Sequence, residues 1–411
     1  MGETMLTIGL MKNTVQNYAW GSTSAIQKLL GQTASDHEPA AELWMGAHPK
    51  APSRVKYQGQ WLPLDDLIAR YPQDILGKQI AKKFDERLPY LFKVLAAARP
   101  LSIQAHPELT QARKGFESEN IKGVPLEAAH RNYKDANHKP ECICALSSFW
   151  ALYGFRSIAD ILLLMGKICP VGLRSELEQL KKHSDSGGLK EFFTKLMTME
   201  TEQKKRVIAE ATHLTQRYLE EGPAFEWTAR LATEYPGDIG LLSPCFLNLI
   251  QLKPGQALFL PAGELHAYLE GTGIELMANS DNVLRGGLTP KHIDVPELLS
   301  ILNFIPRRIE ILQAMPKDGM EKFYTSLAEE FVLSAISIAG DDDYRKSTVQ
   351  SAEILLCIEG EANLEDSNKN RIQIKKGDSA FISAAAGSYS INGDAVFYKA
   401  AVGAASSREI K

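Results

Sequence analysis

The sequence predicts a mainly β protein of two small antiparallel barrels, the first of them interrupted by a helical insertion. Three observations carry this reading. Residues 247–270, LNLIQLKPGQALFLPAGELHAYLE, alternate apolar runs with turn residues; residues 372–390, IQIKKGDSAFISAAAGSYS, repeat 250–268 without a gap; and residues 158–235 switch to helical periodicity. In the first copy Ile250, Leu252, Ala257 and Phe259 mark strands, while Lys253-Pro254-Gly255 and Pro261-Ala262-Gly263 mark tight turns. His266 then opens a strand whose alternation can aim an imidazole into the barrel mouth. In the second copy Ser383 stands for Pro261, Ala385 for Gly263 and Ser388 for His266. The fold signal persists and the ligand is lost, so the first barrel is expected to bind metal and the second to serve as structure.

Taken in order, Trp20 to Phe155 is rich in Gly, Pro and short apolar runs, and PYLFKVLAAARPLSIQAHP and PECICALSSFWALYGF read as strands. From Ile158 to Tyr235, SIADILLLMGKI, RSELEQLKK, LKEFFTKLMTM and EQKKRVIAEATHLTQRYLEE place apolar residues at helical spacing, which predicts three or four helices. Strand character returns at Pro244 and gives way after Leu288 to PELLSILNF, a helix begun by Pro296. Past Glu321, FVLSAISI, EILLCIEGEANL, IQIKKGDSAFIS and AVFYKAA indicate the second barrel. The expected organisation is a first barrel from 1–156 and 241–320, a helical insertion over 157–240, and a degenerate barrel over 321–411.

At 411 residues, with 44% hydrophobic and 23% charged residues, the chain has the size and composition of a soluble multidomain protein. A formal charge of −4 with interspersed signs leaves no basic face for nucleic acid or an anionic membrane. Neither a signal peptide nor a membrane span is visible, so a cytoplasmic protein is expected, as a monomer or weak homo-oligomer. Five cysteines at irregular spacing make no disulfide framework, and Cys142-x-Cys144 lacks the second pair of a structural zinc site.

Chemistry concentrates in three places. Gln104 and His106, two apart at the end of a strand-like run, can address one point in space. Asn137-His138-Lys139-Pro140-Glu141 leads into another apolar run, and His266 completes the set. Gln104, His106, Glu141 and His266 offer an amide oxygen, two imidazoles and a carboxylate, a set that suits one Zn²⁺ ion per chain with an open coordination position. Gly255, Pro261, Gly263 and His266 stand at the spacing of the second cupin motif, with Glu270 where cupins more often carry Asn. The first cupin motif is altered: Gln104 takes the place of its first His, and the acid lies far downstream.

The elements QNYAWGS, AELWMGAHP, LPYLFKVL, PLSIQAHP, NHKPE, PAGELHAY and SDNVLRGGLTPK, in this order, resemble the type I mannose-6-phosphate isomerase family, also called phosphomannose isomerases. The resemblance implies zinc held by Gln104, His106, Glu141 and His266, and interconversion of mannose 6-phosphate and fructose 6-phosphate through an enediol-type intermediate. It also matches Arg285 to the family's active-site arginine, and Lys93, Ser102 and Lys291 to positions proposed for phosphate. A guanidinium does not readily release its proton, so Arg285 is expected to stabilise negative charge. Which of His138, Lys139 and Asp281 opens the ring and which moves the proton is open, with Lys139 the hypothesis for proton transfer. Lys93 shares the parity of Leu91 and Leu95, and a bound phosphate would resolve the penalty of burying its ammonium.

Other residues invite less specific readings. Trp20 and Trp44 are equally suited to stacking on sugar and to packing, and Glu42 and Glu275 are expected to make structural hydrogen bonds. His48, in AHPK, has no second ligand spaced for it; Gly286-Gly287 reads as a turn; His183 and His213 face solvent from the insertion. Two rivals remain: an iron-dependent cupin oxygenase with a two-His, one-carboxylate site, and a non-enzymatic sugar-phosphate-binding bicupin. The charged pair beside Glu141 and the Arg after His266 favour catalysis.

Overall fold

The fold is organised by the long strand His266–Ala278, whose two halves belong to different faces of one barrel. Its C-terminal half lies between Tyr90–Ala97 and Glu141–Ala145, so that Glu275 stands opposite Lys93 on one side and Ile143 on the other. Its N-terminal half pairs instead with Ile103–Ala105 and Phe149–Phe155. The change of partner falls at a break in register between Tyr268 and Glu270, followed by Gly271 at φ +132°, where a Cβ would lie 2.8 Å from the Cα of Phe149. A strand bent at such a break can close a sheet on itself, which is how the barrel mouth forms around His266. The computed structural model describes residues 5–32 and 38–403; the ends of the expected first and last segments, 1–4 and 404–411, lie outside the described residues.

Tyr90–Ala97 is buried along its whole length because each of its faces meets a different core. Tyr90, Phe92, Val94 and Ala96 pack toward Ile354, Leu356 and Tyr398 of the second barrel, while Leu95 and Ala97 pack with Phe149 and Tyr268 of the first. That double burial accounts for the unbroken apolar run YLFKVLAA.

The second sheet runs Met315–Asp318, Glu321–Tyr324, Val332–Ile338, Tyr389–Ala401, Glu353–Asp366 and Ser379–Ile382, and then takes in Ile8–Lys12, Arg54–Tyr57 and Gln60–Pro63 from the other end of the chain. Ile8 stands opposite Ile382. The expected assignment of the whole N-terminal segment to the first barrel is therefore corrected: three of its strands extend the second sheet.

The internal repeat is real in the backbone. Gly255 and Gly377 occupy the same left-handed conformation, at φ +81° and +88°. Each is followed by the same bond, Gln256 N–H to Lys253 O at 3.0 Å in one copy and Asp378 N–H to Lys375 O at 2.9 Å in the other. The second turn diverges: Gly263 sits at φ +78°, whereas Ala385 lies in the short turn Ala384–Ala386 and the left-handed position moves to Gly387.

The insertion holds five helices, Ile158–Ile168, Arg174–Lys182, Ser186–Met197, Thr201–Thr215 and Pro223–Glu234, around a core containing Phe193, Trp227 and Leu231. The fifth exceeds the expected three or four, because Pro223 begins a new helix in its first turn rather than ending the insertion. Helices Leu64–Arg70, Pro72–Leu76, Lys78–Lys83 and Leu109–Ile121 in the first segment were not expected; the first three are too short to show periodicity. The helix after Leu288 is confirmed as Val295–Ile301, with the Asp294 side chain accepting from the Glu297 N–H. Among the described residues no helix is long and apolar enough to cross a membrane.

Candidate metal centre

His106, Glu141 and His266 converge at the barrel mouth, each 1% exposed, with candidate ligand atoms all within 4.8 Å of one another. His106 Nε2 lies 3.3 Å from Glu141 Oε1, and His266 Nε2 lies 3.3 Å from Glu141 Oε2. The other ring nitrogens fix the tautomers. His106 Nδ1 faces the backbone oxygen of Asn282 at 2.6 Å, and His266 Nδ1 that of Glu264 at 3.0 Å. A carbonyl only accepts, so both Nδ1 atoms carry the proton and both Nε2 atoms present lone pairs to a carboxylate. Neither Nε2 has a hydrogen-bond partner although both are buried. Lone pairs facing lone pairs in a dry site is an arrangement that a cation resolves, and the residues therefore fit a metal ion.

The electrostatics agree with this. Burial is the main cause that lowers His106 to about 4, against the pull of Glu141, so the ring is neutral near pH 7. Burial opposes ionisation of Glu141 too, but the Lys139 ammonium beside it holds it well below the usual carboxylate range. Neutral imidazole and ionised carboxylate are the forms that bind metal.

Gln104 lies on Ile103–Ala105 directly opposite His266 on one side and Arg285 on the other. Residues opposite each other on a ladder share a face, which sets its amide beside the cluster. Lys139 Nζ is 3.1 Å from Glu141 Oε1. His138 Nε2 meets Glu330 Oε1 of the second barrel at 2.6 Å.

Asp281 is paired with Lys50 at 2.9 Å and His48 at 3.5 Å, and these partners overcome burial to hold it well below the usual range. His48 thus serves an acid rather than a metal. Arg285 is half-buried with no carboxylate partner among the described residues, and Lys291 is lowered first by burial and then by the charge of Arg285. An anion would relieve both. Ser102 precedes Ile103–Ala105 with the parity of Gln104.

Lys93, expected to meet a phosphate, has its ammonium 3.0 Å from Glu275 and 3.6 Å from Glu42, with Trp44 5.4 Å away across its face. Glu42 also accepts from Trp44 Nε1 at 2.7 Å, so Trp44 is a packing residue here.

Sequence reasoning missed Asn282. Fully buried, it gives its backbone oxygen to His106 and uses its side chain to hold Lys134, Asp135 and Asn137, tying the segment that carries His138 and Lys139 to the His106 imidazole. Its place in SDNVLRGG was visible, but no pattern announces a backbone contact.

Two imidazoles and an ionised carboxylate, buried together in the mouth of an antiparallel barrel, define a metal-binding barrel protein of the cupin type. Family models narrow this: phosphomannose isomerase type I catalytic domain matches residues 8–158, its helical insertion domain 172–247, and the mannose-6-phosphate isomerase cupin domain 320–400. The chain is 43% identical over 376 residues to mannose-6-phosphate isomerase of Escherichia coli, covering 90% of this chain and 94% of that one. A crystal structure of a point mutant of phosphomannose isomerase from Salmonella typhimurium superposes with a TM-score of 0.90 at 38% identity, covering 97% of this chain and 100% of the other. A zinc-bound mannose 6-phosphate isomerase matches over the same shares with a TM-score of 0.89 at 38% identity. The chain belongs to the type I phosphomannose isomerase family.

Proposed function

We propose that the chain is a zinc-dependent isomerase that interconverts mannose 6-phosphate and fructose 6-phosphate. The observation that supports this most directly is the pair of buried, partnerless imidazole nitrogens facing Glu141. His106, Glu141, His266 and the Gln104 amide oxygen would hold the ion. Zinc, when bound, supplies Lewis acidity that stabilises negative charge developing on sugar oxygens.

The chain's own residues do the rest. In this reading Lys139, 3.1 Å from Glu141, carries a proton between C1 and C2, with His138 next to it in sequence as the second acid–base group. Asp281, held ionised by Lys50 and His48, orients a sugar hydroxyl as an acceptor during ring opening. Arg285 stays protonated and steadies the enediolate, while Lys291 and Ser102 bind the phosphate. Lys93 has no place in this scheme. The iron-oxygenase reading shares the two-His, one-carboxylate core, but it leaves Gln104 and the cationic pair Arg285 and Lys291 without a role. A cytoplasmic setting is favoured by five buried free cysteines, and a monomer or weak homo-oligomer is the expected assembly, to be checked by light scattering.

The test is turnover of fructose 6-phosphate before and after chelation, with zinc added back and His266→Ala run in parallel. Activity is expected to vanish with chelator, return with zinc and be absent in the variant. Folded, zinc-loaded protein with no turnover overturns the proposal.

A further inference from the structure

The second barrel has Ser388 where the first has His266, yet it reaches a candidate acid–base residue of the first. The segment between Glu321–Tyr324 and Val332–Ile338 presents Glu330, whose Oε1 lies 2.6 Å from His138 Nε2 across 192 residues of chain. Both side chains are partly sheltered, His138 at 28% and Glu330 at 15% exposure. The position is anchored on both sides: Glu329 is bridged to Lys83 at 3.0 Å, and Phe331, 1% exposed, is built into the core shared by the two barrels.

The pair borders a cavity of about 860 Å³ that Asp281 also lines. Lys83, Arg113, Lys134, Asp135, Asp281 and Glu329 are among the charged groups facing it. A carboxylate only accepts, so Nε2 of His138 bears the proton in this contact and Nδ1 keeps its lone pair, the form of a proton acceptor. The second oxygen of Glu330 is buried without a hydrogen-bond partner, so the carboxylate has no competing donor to draw it from His138. Proximity to His138 keeps Glu330 ionised despite its burial.

We infer that Glu330 is a positioning residue of the isomerase: from the second barrel it fixes the ring and tautomer of His138 for acid–base work at the sugar. This explains why a barrel without a metal site is part of the catalytic unit. The inference rests on the function proposed above, and on His138 having a role in it.

Glu330→Gln keeps the shape of the side chain and removes its charge. In the full-length zinc-loaded enzyme it is expected to lower kcat roughly ten- to a hundred-fold, the range for residues that orient a working imidazole, with KM and zinc content changed by less than about two-fold. Glu330→Asp should recover part of the loss. In a His138→Gln background, Glu330→Gln should change kcat by less than about two-fold, since the residue it acts through is gone. Glu329→Gln, which breaks only the bridge to Lys83, should leave kcat as it is. Independently of turnover, nitrogen-15 NMR of His138 should show the Nε2-protonated ring in the parent chain and a mixture of tautomers in Glu330→Gln. Unchanged kcat in Glu330→Gln, or equal effects with and without His138, would overturn the positioning role. An unchanged His138 spectrum would overturn the contact itself. Normal NMR behaviour in a parent protein that turns over no sugar phosphate would overturn the proposed function and, with it, the catalytic role of Glu330 while sparing the contact.

Discussion

A lysine only 5% exposed must have its charge met inside the protein, and at Lys93 two carboxylates do so. Parity along LPYLFKVL was enough to place the residue inward, but nothing in the local sequence points to Glu42 or Glu275, which arrive on separate strands. Replacing one member of such a cluster strands the rest. Lys93→Met is expected to destabilise the protein by about 3–5 kcal/mol, read as a lower denaturant midpoint with no sugar phosphate present. A normal midpoint together with a raised KM would return Lys93 to the phosphate site. The metal ligands were more legible: His106, Glu141 and His266 stood out by residue type and motif. What could not be read was the pair of backbone carbonyls, from Asn282 and Glu264, that set the tautomers, because a carbonyl leaves no trace in residue identity.

At the scale of the element, the turn before His266 shows why its glycine is there. Gly263 lies at φ +78°, its N–H donates to His106 O at 2.8 Å, and a Cβ would meet Ile301 O at 2.9 Å. Gly255 has a similar φ of +81° but open space around it. Gly255→Ala should therefore cost about 1 kcal/mol for the left-handed backbone alone. Gly263→Ala should cost at least about 2 kcal/mol and weaken zinc retention as well, because it moves the carbonyl of a ligand. Thermal melts and zinc content of the two variants check this; equal losses would sink the argument. The repeat was legible because turns demand particular residues. Helices Leu64–Arg70, Pro72–Leu76 and Lys78–Lys83 were not, since their stability comes from docking Leu67, Ile75 and Leu76 on the shared core.

Across the whole molecule, acid should act in two stages on the metal-free protein. His106 is lowered to about 4 in the fold, so between its ordinary range near 6.5 and about 4 the unfolded chain binds a proton that the folded one refuses, and stability falls as pH drops through that window. Glu321 is lowered to about 2, where burial is outweighed by Lys399 at 2.7 Å. Its stabilisation is complete above about 4.5 and is lost as pH falls from there through about 2. Denaturant midpoints measured against pH should show both stages, and Lys399→Met should shrink the lower one, to which Glu141, Asp281 and Glu330 also contribute; a lower limb of unchanged size in that variant would show that Glu321 is not among its sources.

The sequence by itself determined the class of fold, the internal repeat, the candidate metal cluster of His106, Glu141 and His266, and the family, because strand alternation, turn residues and ligand types are local properties that survive in one dimension. Tertiary structure alone decided that the N-terminal strands extend the second sheet, that Lys93 is an ion-pair residue, and that the second barrel hands Glu330 to His138. Each of those joins residues far apart in the chain, and their meeting depends on how two barrels share one core, a property of packing that no window of sequence contains.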